Sequence, residues 1–410
     1  MMCAVRSPFL SMAAGVTAVA GAVLPAVAAG GSLSELGASS PATATVRTLV
    51  GPGVFDAPTA LAYDATGDLF VADTGHCRVS VVSARRGSFD GLRLRTGGVT
   101  TLVGGSCRGS RSIGHPTGLA VDAQGDVFIA EATAQRVQVV RVGARPAAVT
   151  VAGTGQPGFT GNGQPATESE LNQPTAVALD AAGDLFIADT ANCLVRAVPA
   201  KDTTLFGEAM TAGDLYTLTG VRVCGTAGQG GPLAAAQLWD PVALAIDSSG
   251  TQLLVADRGD QSVLLATARS GTYWGTPVAA GHIGVVAGGT GSYGPYLADG
   301  LSAVGGTAEL NDPRGVAVGR GGALVVTDGF MHAVRVVPSV DGTLFGETVK
   351  AGAFYTLAGA LPVSDSTGAG NGTRWVLTHT DTPSGVALSP AGAVVFSDAG
   401  TGAVRTVAGP

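Results

Sequence analysis

Residues 174–198 read PTAVALDAAGDLFIADTANCLVRAV. Three short apolar or alternating runs are separated by two turn signals, DAAGD and ADTAN. That pattern predicts strand A, a hairpin, strand B, a short loop and strand C. The same arrangement recurs five more times, as PTALAYDATGDLFVADTGHCRVSVV at 58–82, PTGLAVDAQGDVFIAEATAQRVQVV at 116–140 and PVALAIDSSGTQLLVADRGDQSVLLA at 241–266. The last two copies are PRGVAVGRGGALVVTDGFMHAVRVV at 313–337 and PSGVALSPAGAVVFSDAGTGAVRTV at 383–407.

A fourth run follows the first five copies: VTTLVGG from 99, AVTVAGTG from 148, LYTLTG from 215, IGVVAGG from 283 and FYTLAG from 354. Six repeats of four short antiparallel strands predict an all-β fold, a six-bladed β-propeller. The sixth copy has no fourth run before Pro410, whereas VRTLVG at 46–51 has the matching pattern near the other end. We expect this N-terminal segment to complete the last blade and close the ring, leaving no open sheet edge at the seam.

Composition fits that reading. The 410 residues include 63 Gly, with 46% hydrophobic and 13% charged residues, too apolar for a disordered chain and suited to many tight turns. Net charge is -7, and the only lysines are Lys201 and Lys350, so no basic face for nucleic acid is expected. Arg6, an apolar stretch from Phe9 to Leu24 and the small residues Ala26-Val27-Ala28 have the layout of a cleaved signal peptide. The expected organisation is signal peptide 1–29, flexible linker 30–44 and propeller 45–410. The mature protein is expected to be secreted, monomeric and without a membrane span.

The repeats resemble the NHL family over nearly everything from residue 45 onward. The closest unit joins AGTGQPGFTGNGQPATESELNQ at 152–173 to the stretch at 174–198, with the glycine run, P-A-T, L-N-x-P and A-D-T-x-N of that family. Similar propellers in teneurins and in bacterial receptor-kinase sensor domains mainly bind partners, whereas the one in the peptide-amidating lyase is an enzyme. The resemblance implies the fold firmly and the function weakly. In that lyase, zinc-binding histidines follow the Pro that opens certain strands. Here those positions hold Thr59, Thr117, Thr175, Val242, Arg314 and Ser384. Arg258 and Phe330 stand where the lyase has a catalytic Arg and Tyr, but Phe lacks the hydroxyl, so the lyase activity does not carry over.

Cysteine placement is informative. Cys77 and Cys193 each lie 19 residues after their opening Pro, in the B–C loop, while Cys107 and Cys224 lie 49 and 50 residues after it, beyond strand D. Those two segments emerge on one face of a blade, which predicts the disulfides Cys77–Cys107 and Cys193–Cys224. The lone cysteines lack C-x-x-C spacing and the five histidines lack H-E-x-x-H, so no metal site and no cofactor are expected.

An acid ends strand B in every copy: Asp73, Glu131, Asp189, Asp257, Asp328 and Asp398. Sixfold recurrence favours a turn-capping role toward the B–C loop amides over a carboxylate ring. The G-x-G-x-x-G matches at 153–158 and 289–294 follow equivalent strands and lack a helix, so they read as propeller turns. No catalytic residue is expected. Phe206, Trp274 and Phe345 occupy similar C–D insertions and are expected to pack on their own blades. Non-repeating Tyr293, Tyr296, Arg374 and Trp375 in the D–A connections, with His115 and His379, are the candidate binding residues. The expected function is a non-catalytic scaffold whose top-face loops bind a protein or cell-envelope glycan. The competing expectation is a metal-dependent lyase or lactone hydrolase with its site in the axial channel.

Overall fold

A computed structural model of the chain describes residues 23–24, 45–89, 92–107, 113–141, 148–289, 299–305, 309–319, 321–344, 347–359 and 380–408. The expected signal peptide and linker, 1–44, therefore lie outside the described residues except for Val23–Leu24, which pair with Ile246 and Asp247.

Six antiparallel sheets surround one axis. Blade 1 has strands A Pro58–Tyr63, B Leu69–Asp73, C Arg78–Val82 and D Val99–Gly104. Blade 2 has Pro116–Val121, Val127–Glu131, Arg136–Val140 and Ala148–Ala152. Blade 3 has Pro174–Leu179, Leu185–Asp189, Leu194–Val198 and Asp214–Thr219. Blade 4 has Pro241–Asp247, Gln252–Asp257, Ser262–Thr267 and His282–Gly288. Blade 5 has Pro313–Val318, Leu324–Asp328, Ala333–Val337 and Tyr355–Ala358. Blade 6 has Pro383–Leu388, Val394–Asp398 and Ala403–Ala408, and its outer strand is Thr45–Val50.

That outer strand closes the ring as expected. Thr45 pairs with Ala408 and Val50 with Val404, antiparallel along the whole strand. The chain ends meet by main-chain hydrogen bonds, so blade 6 has no seam.

Each blade interface has its own apolar cluster, six clusters for six interfaces. Between blades 3 and 4, for example, Phe186, Val195 and Leu218 pack with Leu244, Leu253 and Leu264. Between blades 6 and 1, Val395 and Val404 meet Leu61 and Val71. Full burial of each such side chain contributes roughly 1.5–3 kcal/mol. Near the axis the inner strands approach too closely for bulk. A Cβ on Gly118 would lie 2.6 Å from the Ala176 Cα, and one on Gly385 would lie 2.5 Å from the Thr59 carbonyl oxygen. The small residues two places after each opening Pro follow from that approach.

The C–D insertions of blades 1, 3, 4 and 5 form small two-stranded hairpins. One of them corrects the sequence expectation. Buried Trp274 donates its indole N–H to the Gly322 carbonyl of blade 5, so it packs on the next blade as well as its own. Phe206 likewise lies against the cluster shared by blades 3 and 4. Phe345 lies outside the described residues.

Candidate functional site

The acid ending strand B has the same job in all six blades. It is fully buried, and it accepts the backbone N–H of the residue two before the opening Pro. The pairs are Asp56 to Asp73, Gly114 to Glu131, Asn172 to Asp189, Trp239 to Asp257, Asn311 to Asp328 and Asp381 to Asp398, all at 2.6–2.9 Å. The structural reading of these acids stands, but its target is corrected. They chiefly hold the D–A connection; toward the B–C loop, Asp328 also accepts the Met331 backbone amide at 3.3 Å and Asp189 the Asn192 side-chain amide at 2.9 Å. The reason is strand order: strand B lies beside strand A, so its end faces the segment entering A.

Arginines on strand C serve the same acids from two places. Arg78 and Arg136 reach Asp73 and Glu131 from the first residue of the strand. Arg196 and Arg405 reach Asp189 and Asp398 from the third. Blade 4 has Ser262 and Leu264 at those two places. Burial pushes the Asp257 carboxyl up to about 6.

Strand A opens on a Pro, which has no N–H to give the ladder, and the pairing with strand B slips at that point. The residue after the Pro is thereby bulged out at the mouth of the axial channel. In blades 1 and 3 it is threonine, paired with a second threonine from the B–C loop. Thr59 and Thr74 lie 2.7 Å apart, and Thr74 donates to the Pro116 carbonyl of the next blade at 2.6 Å. Thr175, Thr190 and the Pro241 carbonyl repeat this arrangement. These hydroxyls satisfy strand-A carbonyls across the blade interfaces.

Blades 4 and 5 break the pattern. Arg258 replaces the B–C threonine and Arg314 takes the bulged position. Arg258 binds the Asp240 carboxylate through Nε and Nη2, each at 2.7 Å, and its Nε lies 4.0 Å from Asp312. Arg314 donates Nε to Asp312 at 2.6 Å. The result is a row, Asp240–Arg258–Asp312–Arg314, along one side of the mouth. An exposed aromatic stands at each end. The Trp239 ring lies against Gly259, where a Cβ would meet its Cγ at 2.5 Å. Gly329, beside Phe330 in the chain, lies against Arg314 in the same way. Trp239 is 54% and Phe330 66% exposed.

The channel itself is narrow, with about 60 Å³ of free volume, and is lined by strand-A residues including Thr59, Thr117, Ala176, Val242, Arg314 and Gly385. That is room for a few waters, well short of the several hundred Å³ of an ordinary ligand pocket. Among the described residues lining it there is no imidazole or carboxylate.

Both expected disulfides, Cys77–Cys107 and Cys193–Cys224, are present. His115 is exposed, sits in a left-handed turn at φ 47° and places a ring nitrogen within 4.8 Å of both sulfurs of the first disulfide. Tyr293, Tyr296, Arg374, Trp375 and His379 lie outside the described residues. Sequence reading did not single out Trp239, Asp240 or Asp312. The usable signal is the departure of Arg258 and Arg314 from the paired threonines of blades 1 and 3.

The NHL repeat family model matches residues 55–82. This chain is a six-bladed propeller carrying an NHL repeat. No curated protein matches it by sequence. Among solved structures, a Bacteroides thetaiotaomicron protein of unknown function is similar, at 16% identity and TM-score 0.56, covering 89% of this propeller and 76% of that chain. An auxiliary nutrient-binding protein from Bacteroides ovatus is similar at 12% identity and TM-score 0.55, covering 89% and 76%. A gluconolactonase from Xanthomonas campestris is similar at 16% identity and TM-score 0.51, covering 90% of each chain. Such identities establish a shared fold. No helix among the described residues is long and apolar enough to cross a membrane.

Proposed function

We propose that the propeller is an exported, non-catalytic scaffold that binds a protein or cell-envelope glycan at the channel mouth of blades 4 and 5. The observation that carries this reading is the row of Arg258 and Arg314 flanked by exposed Trp239 and Phe330. Exposed aromatics beside arginines are the side chains that dominate recognition surfaces. The aromatic rings offer flat apolar faces, and the aspartates hold the guanidinium groups in place, lowering the entropy lost on binding. The two disulfides suit an oxidising compartment and brace the loops of the same face. The nutrient-binding description of one structural neighbour is in keeping with an extracellular binder. Tyr293, Tyr296, Arg374 and Trp375 precede strand A of blades 5 and 6 in the chain, and we include them as candidate extensions of this surface.

The lyase or lactone-hydrolase alternative gains nothing from the channel lining, whose described side chains offer hydroxyls and a guanidinium but no set of metal ligands. The test is retention of the full chain on isolated cell-envelope material. Trp239→Ala and Phe330→Ala should each weaken retention by roughly tenfold or more. Protease or periodate treatment of the envelope material tells a protein ligand from a glycan. Unchanged retention in both variants would overturn the assignment of this surface.

A further inference from the structure

The corner formed by the first disulfide and His115 is independent of the mouth cluster. Cys77 is fully buried at the end of the B–C loop of blade 1, with φ 50° and its amide bonded to the Thr74 carbonyl at 3.1 Å. Its carbonyl in turn accepts the Gly105 N–H at 3.0 Å. His115 is fixed by the turn into Pro116. Four of the five other residues that precede an opening Pro are also left-handed: Ala57, Gln173, Asp312 and Thr382. The framework therefore sets where position 115 lies, and only the residue type is particular to this blade. Cys107 and His115 are both exposed, so Cys107 is the exposed sulfur of the pair.

We propose that reduction of Cys77–Cys107 turns this corner into a site for a soft d¹⁰ cation, Zn²⁺ or Cu⁺, held by two thiolates and the His115 imidazole. A dithiol reductant supplies two electrons and two protons. The S–S bond breaks to two thiols, the reductant closes to its own disulfide, and metal binding then releases the two thiol protons. Around a tetrahedral zinc with Zn–S near 2.3 Å, two thiolate sulfurs stand about 3.8 Å apart. The sulfurs must separate by less than about 2 Å from their bonded distance to reach that geometry. Buried Cys77 and framework-held His115 stay in place, and exposed Cys107 is the sulfur a reductant can reach. The ion then replaces the covalent link as the brace of this D–A connection.

The blade 3 disulfide is an internal control. The residue standing where His115 does, just before the Pro of the following strand A, is Asp240, and its carboxylate is held by Arg258. That corner has two sulfurs and no imidazole.

The experiment uses the full chain, treated with a phosphine reductant under argon and titrated with Zn²⁺ against a chromophoric chelator, with Co²⁺ as a spectroscopic substitute. The expected result is one tight zinc per reduced chain, no comparable binding to the oxidised chain, and thiolate-to-metal charge transfer with Co²⁺. His115→Ala, which leaves both disulfides in place, should weaken zinc binding by roughly tenfold or more, the loss of one of three ligands. Cys193→Ser with Cys224→Ser should leave it unchanged. Equal affinity in the His115→Ala variant, or loss of the tight site on removing the blade 3 pair, would overturn the proposal.

Discussion

The backbone N–H of Asp240 donates to the buried carboxylate of Asp257 at 2.7 Å, and blade 4 has no arginine at either strand-C position that serves this acid elsewhere. Burial, only partly offset by the Asp240 and Trp239 amides, pushes Asp257 up to about 6. Asp328 and Asp122 are also pushed up to about 6, again by burial first. Unfolded carboxyls titrate near 3.9. Between roughly pH 4 and 6 the folded chain therefore holds more protons than the unfolded one, and stability falls as pH rises through that window. The apparent Tm should increase when pH is lowered from 7.5 to 5. Asp257→Asn should make that increase smaller, as read by differential scanning fluorimetry across pH. A Tm that falls steadily on acidification over this range would contradict the assignment.

Arg196 and Asp189 form a fully buried pair at 3.4 Å, and each has further hydrogen-bond partners of a different kind. Asp189 also holds the Asn172 N–H and the Asn192 side chain, while Arg196 donates to the Thr160 and Tyr216 carbonyls and stacks over Phe159. Asp189→Ala strands a buried cation and frees the D–A connection together. It should cost about 3–5 kcal/mol. Arg196→Met keeps volume and leaves the carboxylate with two donors, so it should cost less. Urea unfolding of the two variants gives the order, and the reverse order would show that the guanidinium is the main support.

The sixfold repeat makes most of this fold legible in the sequence. Opening prolines, turn glycines and alternating runs are local signals, and the match of VRTLVG to the fourth-strand pattern is enough to place Thr45–Val50 beside Ala403–Ala408. The disulfides are legible because Cys77 and Cys193 fall at one repeat position. What stays hidden depends on contacts between blades. No local pattern reveals that Trp274 reaches Gly322, 48 residues away. Nor does any place Trp239 beside Arg258, because its exposure comes from the packing of two loops rather than from periodicity.

Two glycines separate space from backbone conformation. A Cβ on Gly118 would sit 2.6 Å from the Ala176 Cα and the Thr175 carbonyl oxygen, both rigid backbone of blade 3. Gly118→Val should therefore cost about 1–3 kcal/mol or more by forcing two inner strands apart. Gly161 has nothing within 4 Å of its would-be Cβ and is not left-handed. Gly161→Ala should be neutral or stabilising by a few tenths of a kcal/mol, through the unfolded chain. Thermal melts of both variants check the contrast, and similar losses in the two would show that interblade spacing is not the controlling factor.

The closing strand can be tested at a packed and at an exposed position. Val46 packs into the cluster between blades 5 and 6, next to Val386, Phe396 and Val407, while Arg47 and Thr48 face solvent. Val46→Asp should cost roughly 1–3 kcal/mol, the penalty of forcing a polar group against an apolar cluster. Thr48→Asp should change little. Removing residues 1–50 leaves strand Ala403–Ala408 as an open edge and uncovers apolar side chains that residue 50 now shields. Unpaired edges of that kind recruit other chains. The truncated protein should melt at lower temperature and run as larger species on size-exclusion chromatography at rising concentration. A truncated chain that stays monodisperse with an unchanged Tm would mean that blade 6 holds the ring closed without its outer strand.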